Sequence, residues 1–177
     1  MDALTVVQAE IQALSPAERA EILQLCTEAY EEDFSSFFQV LPGTTHLLGR
    51  VDGKLVSHLA WVTRWLQPAG GRLLKTAYIE AVATAPTHQG QGYASRLLRE
   101  SVERIQEYDL AALSPSDAGF YERLGWVSWR GRLAIRTETG IEPTPEGEEV
   151  MVMRLRKTPD LDLDVLLTAE WREGELW

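Results

Sequence analysis

The stretch APTHQGQGYASRLL, residues 85–98, holds residue types at a spacing that can grip an anion. Gly90 and Gly92 let backbone approach a ligand with no side chain in the way, and the amides of Gly92, Tyr93 and Ala94 would point out of a helix N-terminus. Such a terminus binds phosphate. No Gly-Lys-Ser/Thr follows, which excludes a Walker loop, and the dinucleotide fingerprint Gly-x-Gly-x-x-Gly is not met. A tight turn without a ligand explains two glycines before a helix equally well. A second candidate is the tail AEWREGELW, residues 169–177, with two tryptophans, three glutamates and a main-chain carboxylate. Chain ends usually carry nothing worth ordering, so this composition asks for a cation or a sugar to face.

The elements that must position these residues are readable from pattern. Ser15-Pro16-Ala17-Glu18 has the form of a capping box with proline at the first helical position, and predicts a helix to about residue 31. His46–Val51 and Lys54–Trp65 are apolar, partly alternating runs split by Asp52-Gly53, a hairpin signal. Residues 73–84, LLKTAYIEAVAT, alternate as a strand. Tyr93 to Tyr108 reads as a helix with Leu97, Leu98, Val102 and Ile105 along one face. Leu110–Leu113 is a short strand, and Ser114-Pro115-Ser116-Asp117 starts a second helix that Gly125 ends. Strands at about 126–135 and 149–156 follow, separated by a loop holding Gly140, Pro143, Pro145 and Gly147. Leu161, Leu163 and Val165 alternate as an edge strand. This order is mixed α/β, with one strand–helix–strand crossover at its centre.

Composition narrows the function classes. A length of 177 residues fits a single domain, 1–177, and 45% apolar with 25% charged residues is ordinary for a globular protein. The net charge of −10 argues against nucleic acid and anionic membrane partners, which select basic surfaces. No apolar run is long enough to span a bilayer, and the first residues lack a secretory pattern, so the expectation is a cytoplasmic protein. The acids crowd three stretches, around Glu28–Asp33, Glu138–Glu149 and Asp160–Glu175, whereas residues 64–104 hold more bases than acids. The middle suits an anion and the ends a cation; acidic loops that merely confer solubility are the plainer explanation. Cys26 lies on the apolar face of the first helix and reads as core. His46, His58 and His88 lack ligand spacing, so no metal is expected.

Gln89-Gly90-Gln91-Gly92-Tyr93-Ala94 resembles the motif Gln/Arg-x-x-Gly-x-Gly/Ala of the GNAT superfamily of acyl-CoA N-acyltransferases. YIEAVAT (78–84), AALSPSDAGFYERLGWVSWRG (111–131) and the tail are similar to one branch, the aminoglycoside 2'-N-acetyltransferases. The resemblance runs from about residue 73 to the last residue. It implies the GNAT fold, a mixed, mostly antiparallel central sheet with a splayed parallel strand pair, flanked by helices. It implies acetyl-CoA as cosubstrate, with the amides of Gln89, Gly90, Gln91, Gly92, Tyr93 and Ala94 on the pyrophosphate and the strand around Val82, Ala83 and Thr84 along the pantetheine arm. For a polycationic amino sugar it implies an acceptor site lined by Asp33, Glu80, Ser114, Glu148 from the Glu146–Glu149 loop, Glu175 and the carboxylate of Trp177. Trp171 and Trp177 pinning a terminal strand to the core remains the alternative.

An amine on a sugar is mostly protonated at neutral pH, so a base must free it before it attacks a thioester. Glu80 is the first candidate, through water; the Trp177 carboxylate is the other, as base or as holder of the ammonium. The N–H near Val82 would serve the oxyanion. Tyr121 matches the family's general acid, and core packing is its other reading. The chain departs from the family in three places. Phe34-Ser35-Ser36-Phe37-Phe38 stands where relatives carry a second aspartate, the 114–121 loop is about two residues shorter, and the acidic loop reads Glu146-Gly147-Glu148-Glu149. A less charged acceptor such as kasugamycin fits these changes as well as a large aminoglycoside does. The competing expectations are a GNAT enzyme for another amine, polyamine-like or a protein N-terminus, and an acyl-CoA-binding module without turnover. Dimers are common in the family resembled; the sequence does not fix the oligomeric state.

Overall fold

The computed structural model describes residues 4–177. The chain forms β1 (Thr5–Glu10), α1 (Pro16–Tyr30), α2 (Phe37–Val40), β2 (Thr45–Val51), β3 (Lys54–Pro68), β4 (Leu74–Thr84), α3 (Tyr93–Arg104), β5 (Leu110–Leu113), α4 (Ala118–Glu122), β6 (Val127–Ser128), β7 (Leu133–Thr137), β8 (Gly140–Pro143), β9 (Met151–Arg154) and β10 (Leu167–Glu170). This is a mixed α/β fold with parallel and antiparallel strand pairs and flanking helices. Two compact units divide it: residues up to Val62 with Ile79–Arg104, and Thr63–Tyr78 with Ile105–Trp177.

The first unit carries β1, β2, the first part of β3 and the last part of β4. Asp52 and Gly53 both take left-handed backbone (φ 49° and 80°), which closes the β2–β3 hairpin. α1 begins as its sequence requires. The Ser15 hydroxyl accepts from the Glu18 amide at 3.2 Å, and the Glu18 carboxylate accepts from the Ser15 amide at 2.9 Å. Its buried residues Ile22, Leu25 and Cys26 pack with Phe37, Leu48, Ala60, Ala81 and Ala83. The small Ala81 and Ala83 let the helix lie close over β4. α3 packs Leu97 beside Gly49 of β2, where an added Cβ would stand 3.2 Å from the leucine methyl. β1, which the sequence reading did not foresee, pairs antiparallel with β2 from Thr5↔Arg50 to Glu10↔Thr45.

The second unit orders its strands β6-β9-β5-β4-β3-β10-β7-β8, using the start of β4 and the end of β3. β10 is parallel to β7 and antiparallel to β3. Three expectations are corrected here. α3 stops at Arg104 rather than Tyr108, because Ile105–Tyr108 makes a turn (Tyr108 amide to Ile105 carbonyl, 3.0 Å) that delivers Asp109 to Lys75, its amide donating to the lysine carbonyl at 2.8 Å. The run Leu161–Val165 is not a strand. The amides of Arg130 and Gly131 donate to Leu163 at 2.9 Å, and a Cβ at Gly131 would meet the Val165 carbonyl at 1.8 Å, so this segment crosses a glycine at close range and pairing begins only at Leu167. Gly140–Pro143, expected as loop, forms β8 beside β7.

Candidate active site

In the first unit, β4 alternates cleanly: Ala81 and Ala83 are buried, while Glu80, Val82 and Thr84 are half-buried on the other face. The amide of Ala85 donates to Val56 of β3 at 2.9 Å. Backbone groups point to opposite edges at successive residues, so Val82 and Thr84 present theirs to the edge away from β3. There the Tyr30 hydroxyl bridges Val82, accepting from its N–H and donating to its C=O, each at 3.0 Å. The Gln89 side-chain Nε2 donates to the Thr84 carbonyl at 3.3 Å. After a short turn at Pro86–His88, Gly90 (φ 75°) and Gly92 (φ 81°) take left-handed backbone, and a Cβ at either would meet nothing within 4 Å. The space over both is open, and the first amides of the twelve-residue α3 follow directly. This loop fits a pyrophosphate.

Asp33 is exposed and accepts from the amide and hydroxyl of Ser35 at 2.8 and 3.1 Å, which holds its carboxyl below the usual range. The phenylalanines beside it serve the interior. Phe37 is core, and Phe34 and Phe38 pack against that core, with Phe34 stacked on Tyr30 at 5.0 Å.

In the second unit, Tyr121 is 6% exposed on α4, packed edge-on to Phe120 and Trp126 at 5.1 and 6.3 Å. Asp117 caps that helix by accepting from the Phe120 amide. Ser114 is exposed at the end of β5, whose four residues are buried. Glu148, with Glu146, Arg132, Ile141 and Thr144, lines an open cleft of about 610 Å³ beside the β7–β8 hairpin. Trp177 is 3% exposed, so the last indole is buried, whereas Glu175 and Trp171 are exposed. What anchors the tail is Arg64, which the sequence reading passed over. Its guanidinium, 1% exposed, donates to the carbonyls of Leu176 (2.7 Å) and Glu170 (2.9 Å) and lies 4.9 Å from the Tyr78 ring and 5.8 Å from the Trp177 ring. Alternating Arg64, Leu66 and Pro68 as inward positions of β3 was the signal available.

Residues 10–128 match the acetyltransferase (GNAT) domain family. The chain belongs to the GNAT acetyltransferases. It is 33% identical over 162 residues to an aminoglycoside 2'-N-acetyltransferase of Mycolicibacterium fortuitum, a match covering 87% of this chain and 82% of that one. Among solved structures, the GNAT protein YhbS of Escherichia coli in complex with CoA aligns with a TM-score of 0.65 at 19% identity, over 97% of this chain and 92% of that one. Eis1 of Mycobacterium abscessus aligns with a TM-score of 0.59 at 22% identity over 72% of this chain; the matched region spans only 32% of that longer protein. The shared fold of this GNAT chain accounts for the strand β4, glycine loop and helix α3 as one continuous device.

Burial also sets the chemistry of groups near the first unit's core. The Cys26 thiol is pushed up to about 12 by burial and is no nucleophile. No helix among the described residues is long and apolar enough to cross a membrane.

Proposed function

We propose that this enzyme transfers the acetyl group of acetyl-CoA to the 2'-amine of an aminoglycoside or related amino-sugar antibiotic, kasugamycin included, and so confers resistance. The observation that carries this reading is the 33% identity, sustained over 87% of the chain, to an aminoglycoside 2'-N-acetyltransferase. The open glycine loop and the outward edge of β4 support acetyl-CoA as donor, and the exposed carboxylates of Asp33, Glu148 and Glu175 suit a cationic acceptor. We take residues 1–177 as one catalytic domain.

Acetyl-CoA supplies an activated acyl group; the chain supplies the proton traffic. Glu80, half-buried on β4, takes a proton from the substrate ammonium, directly or through water. The amine nitrogen then attacks the thioester carbonyl, forming the C–N bond as the C–S bond breaks. The Val82 N–H donates to the carbonyl oxygen as its negative charge grows. Tyr121 gives its proton to the departing thiolate, and the second proton that the nitrogen sheds as the amide forms passes to solvent, from which the phenolate recovers its own. The Trp177 carboxylate holds the acceptor's ammonium or serves as the other base, and its buried indole fixes the tail that carries Glu175.

Thiol release from acetyl-CoA, followed with a panel of aminoglycosides, kasugamycin, polyamines and peptides with free N-termini, tests the proposal. Release with an amino sugar, and NMR placing the new amide at its 2' position, is the expected result. Release only with polyamines or peptides overturns the acceptor assignment, and acetyl-CoA binding without release by any acceptor turns the chain into a binding module.

A further inference from the structure

We infer that Tyr30 is a stand-in for the acyl-bearing arm of coenzyme A, and so a specificity-determining residue of the donor site. This rests on the reading of the β4 edge as the coenzyme's track. The geometry is unusual in one respect. A single phenol satisfies both hydrogen-bonding groups of one strand residue, accepting from the Val82 N–H and donating to the Val82 C=O, each at 3.0 Å. These are the groups that a strand on this edge would engage, since the neighbouring β3 bonds are made at alternate residues. Two residues on, Gln89 caps the next outward carbonyl, that of Thr84. Both groups of Val82 and the Thr84 carbonyl are therefore already satisfied by side chains.

Tyr30 is held for this task. It is the last residue of α1, the chain leaves the helix through Glu31 in left-handed backbone (φ 57°), and Phe34 stacks on its ring at 5.0 Å with an interplanar angle of 22°. A buried strand group costs free energy when left unpaired, so whatever displaces the phenol must replace both bonds. The pantetheine arm can. Its thioester carbonyl accepts from the Val82 N–H, and a secondary amide of the arm provides an N–H for the Val82 C=O. A bare nucleotide reaches the glycine loop but offers neither group on β4, so it leaves Tyr30 in place. Tyr30 thus sets a threshold that only an armed coenzyme crosses, and it keeps the Val82 N–H from water until the thioester arrives.

Titration calorimetry on the wild type and Tyr30→Phe, with acetyl-CoA and separately with 3'-phospho-ADP, the half of the coenzyme that lacks the arm, tests this. Phenylalanine keeps the ring but has no bonds to surrender, so acetyl-CoA should bind the variant about fivefold more tightly while 3'-phospho-ADP binds both within about twofold. Equal or weaker acetyl-CoA binding by the variant overturns the inference, as does an equal change for both ligands, which would report a general effect on the unit. Failure of the wild type to bind either ligand refutes the coenzyme track itself. Should Tyr30→Phe not fold, 3-fluorotyrosine at position 30 in the otherwise native chain gives a second readout. Its fluorine resonance should move with acetyl-CoA and stay with 3'-phospho-ADP; a resonance that moves with neither, or equally with both, rejects the stand-in.

Discussion

The two units bury polar side chains in opposite ways. In the first, four neutral groups form a chain through the interior: Thr44 Oγ1 to His46 Nε2 at 2.7 Å, His46 Nδ1 to His58 Nε2 at 2.9 Å, and His58 Nδ1 to Cys26 Sγ at 3.7 Å. Burial holds both imidazoles in their neutral forms, His46 down to about 4 and His58 well below its ordinary value, where His46 adds charge repulsion. In the second, a cation is buried beside neutral threonines: Arg64, compensated by two carbonyls, the Glu170 carboxylate and two aromatic faces. A guanidinium keeps its charge across the range in which imidazoles titrate. Acid should therefore attack the first interior and spare the second, whereas truncation should hurt the second most.

The largest effect is expected at Arg64. Arg64→Met leaves the Leu176 and Glu170 carbonyls without their donors and removes the cation from the Tyr78 and Trp177 rings, which should cost about 4 kcal/mol in urea unfolding. Arg64→Lys should recover part of it, since one ammonium cannot reach both carbonyls in the fork geometry of a guanidinium. A loss below about 1 kcal/mol for the methionine variant would mean that the tail is anchored elsewhere.

Next comes the acid response of the histidine chain. His46 ionises near 4 when folded against 6.5 when unfolded, so the unfolded state takes up protons first as pH falls. Its contribution is whole above pH 6.5 and shrinks between 6.5 and 4, at about 1.4 kcal/mol per pH unit, to a total of about 3 kcal/mol. His58, also held below its ordinary value, adds to this, so stability from urea unfolding should fall at least this steeply from pH 6.5 to 4, and replacing both histidines by apolar residues should flatten it. An unchanged slope in the double variant would place the acid sensitivity outside the pair.

That pair shows where the sequence stops being legible. Asp52-Gly53 announces the hairpin, and continuing its Val51↔Lys54 register would set His58 opposite Leu47, on the face away from His46. The observed register shifts between Gly49 and Arg50, giving His46↔Ala60 and Leu48↔His58, and only that bulge brings both rings to one face, 5.2 Å apart. Local chemistry was readable: the Ser15 cap, the glycine loop at Gly90 and Gly92 ahead of α3, and the alternation of β4 each depend on a few adjacent residues. Arg64 and Tyr30 were not, because their partners lie 112 and 52 positions away: alternation along β3 turns Arg64 inward without saying what it bonds, and nothing local marks the Tyr30 phenol.

Within the proposed chemistry, Tyr121→Phe separates packing from proton transfer. The ring stays edge-on to Phe120 and Trp126, so stability should hold, while loss of the donor should lower kcat about 100-fold with acceptor affinity nearly intact. Equal loss in kcat and stability would make this a core residue of the second unit.

The smallest effect tests whether the first unit's acid sensitivity belongs to its histidines alone. Ser15→Ala removes the hydroxyl that caps α1, the helix that carries both Cys26 and Tyr30, and should cost about 1 kcal/mol. Glu18 titrates too, and the Ser15 amide and hydroxyl hold its carboxyl below the usual range, so its support for the helix is whole above 4.5 and fades only below that, at the acid end of the histidine window. The Ser15→Ala midpoints should therefore run parallel to the wild type between pH 6.5 and 5. Convergence of the two curves within that interval would mean that the cap, and not the buried imidazoles, is what acid dissolves first.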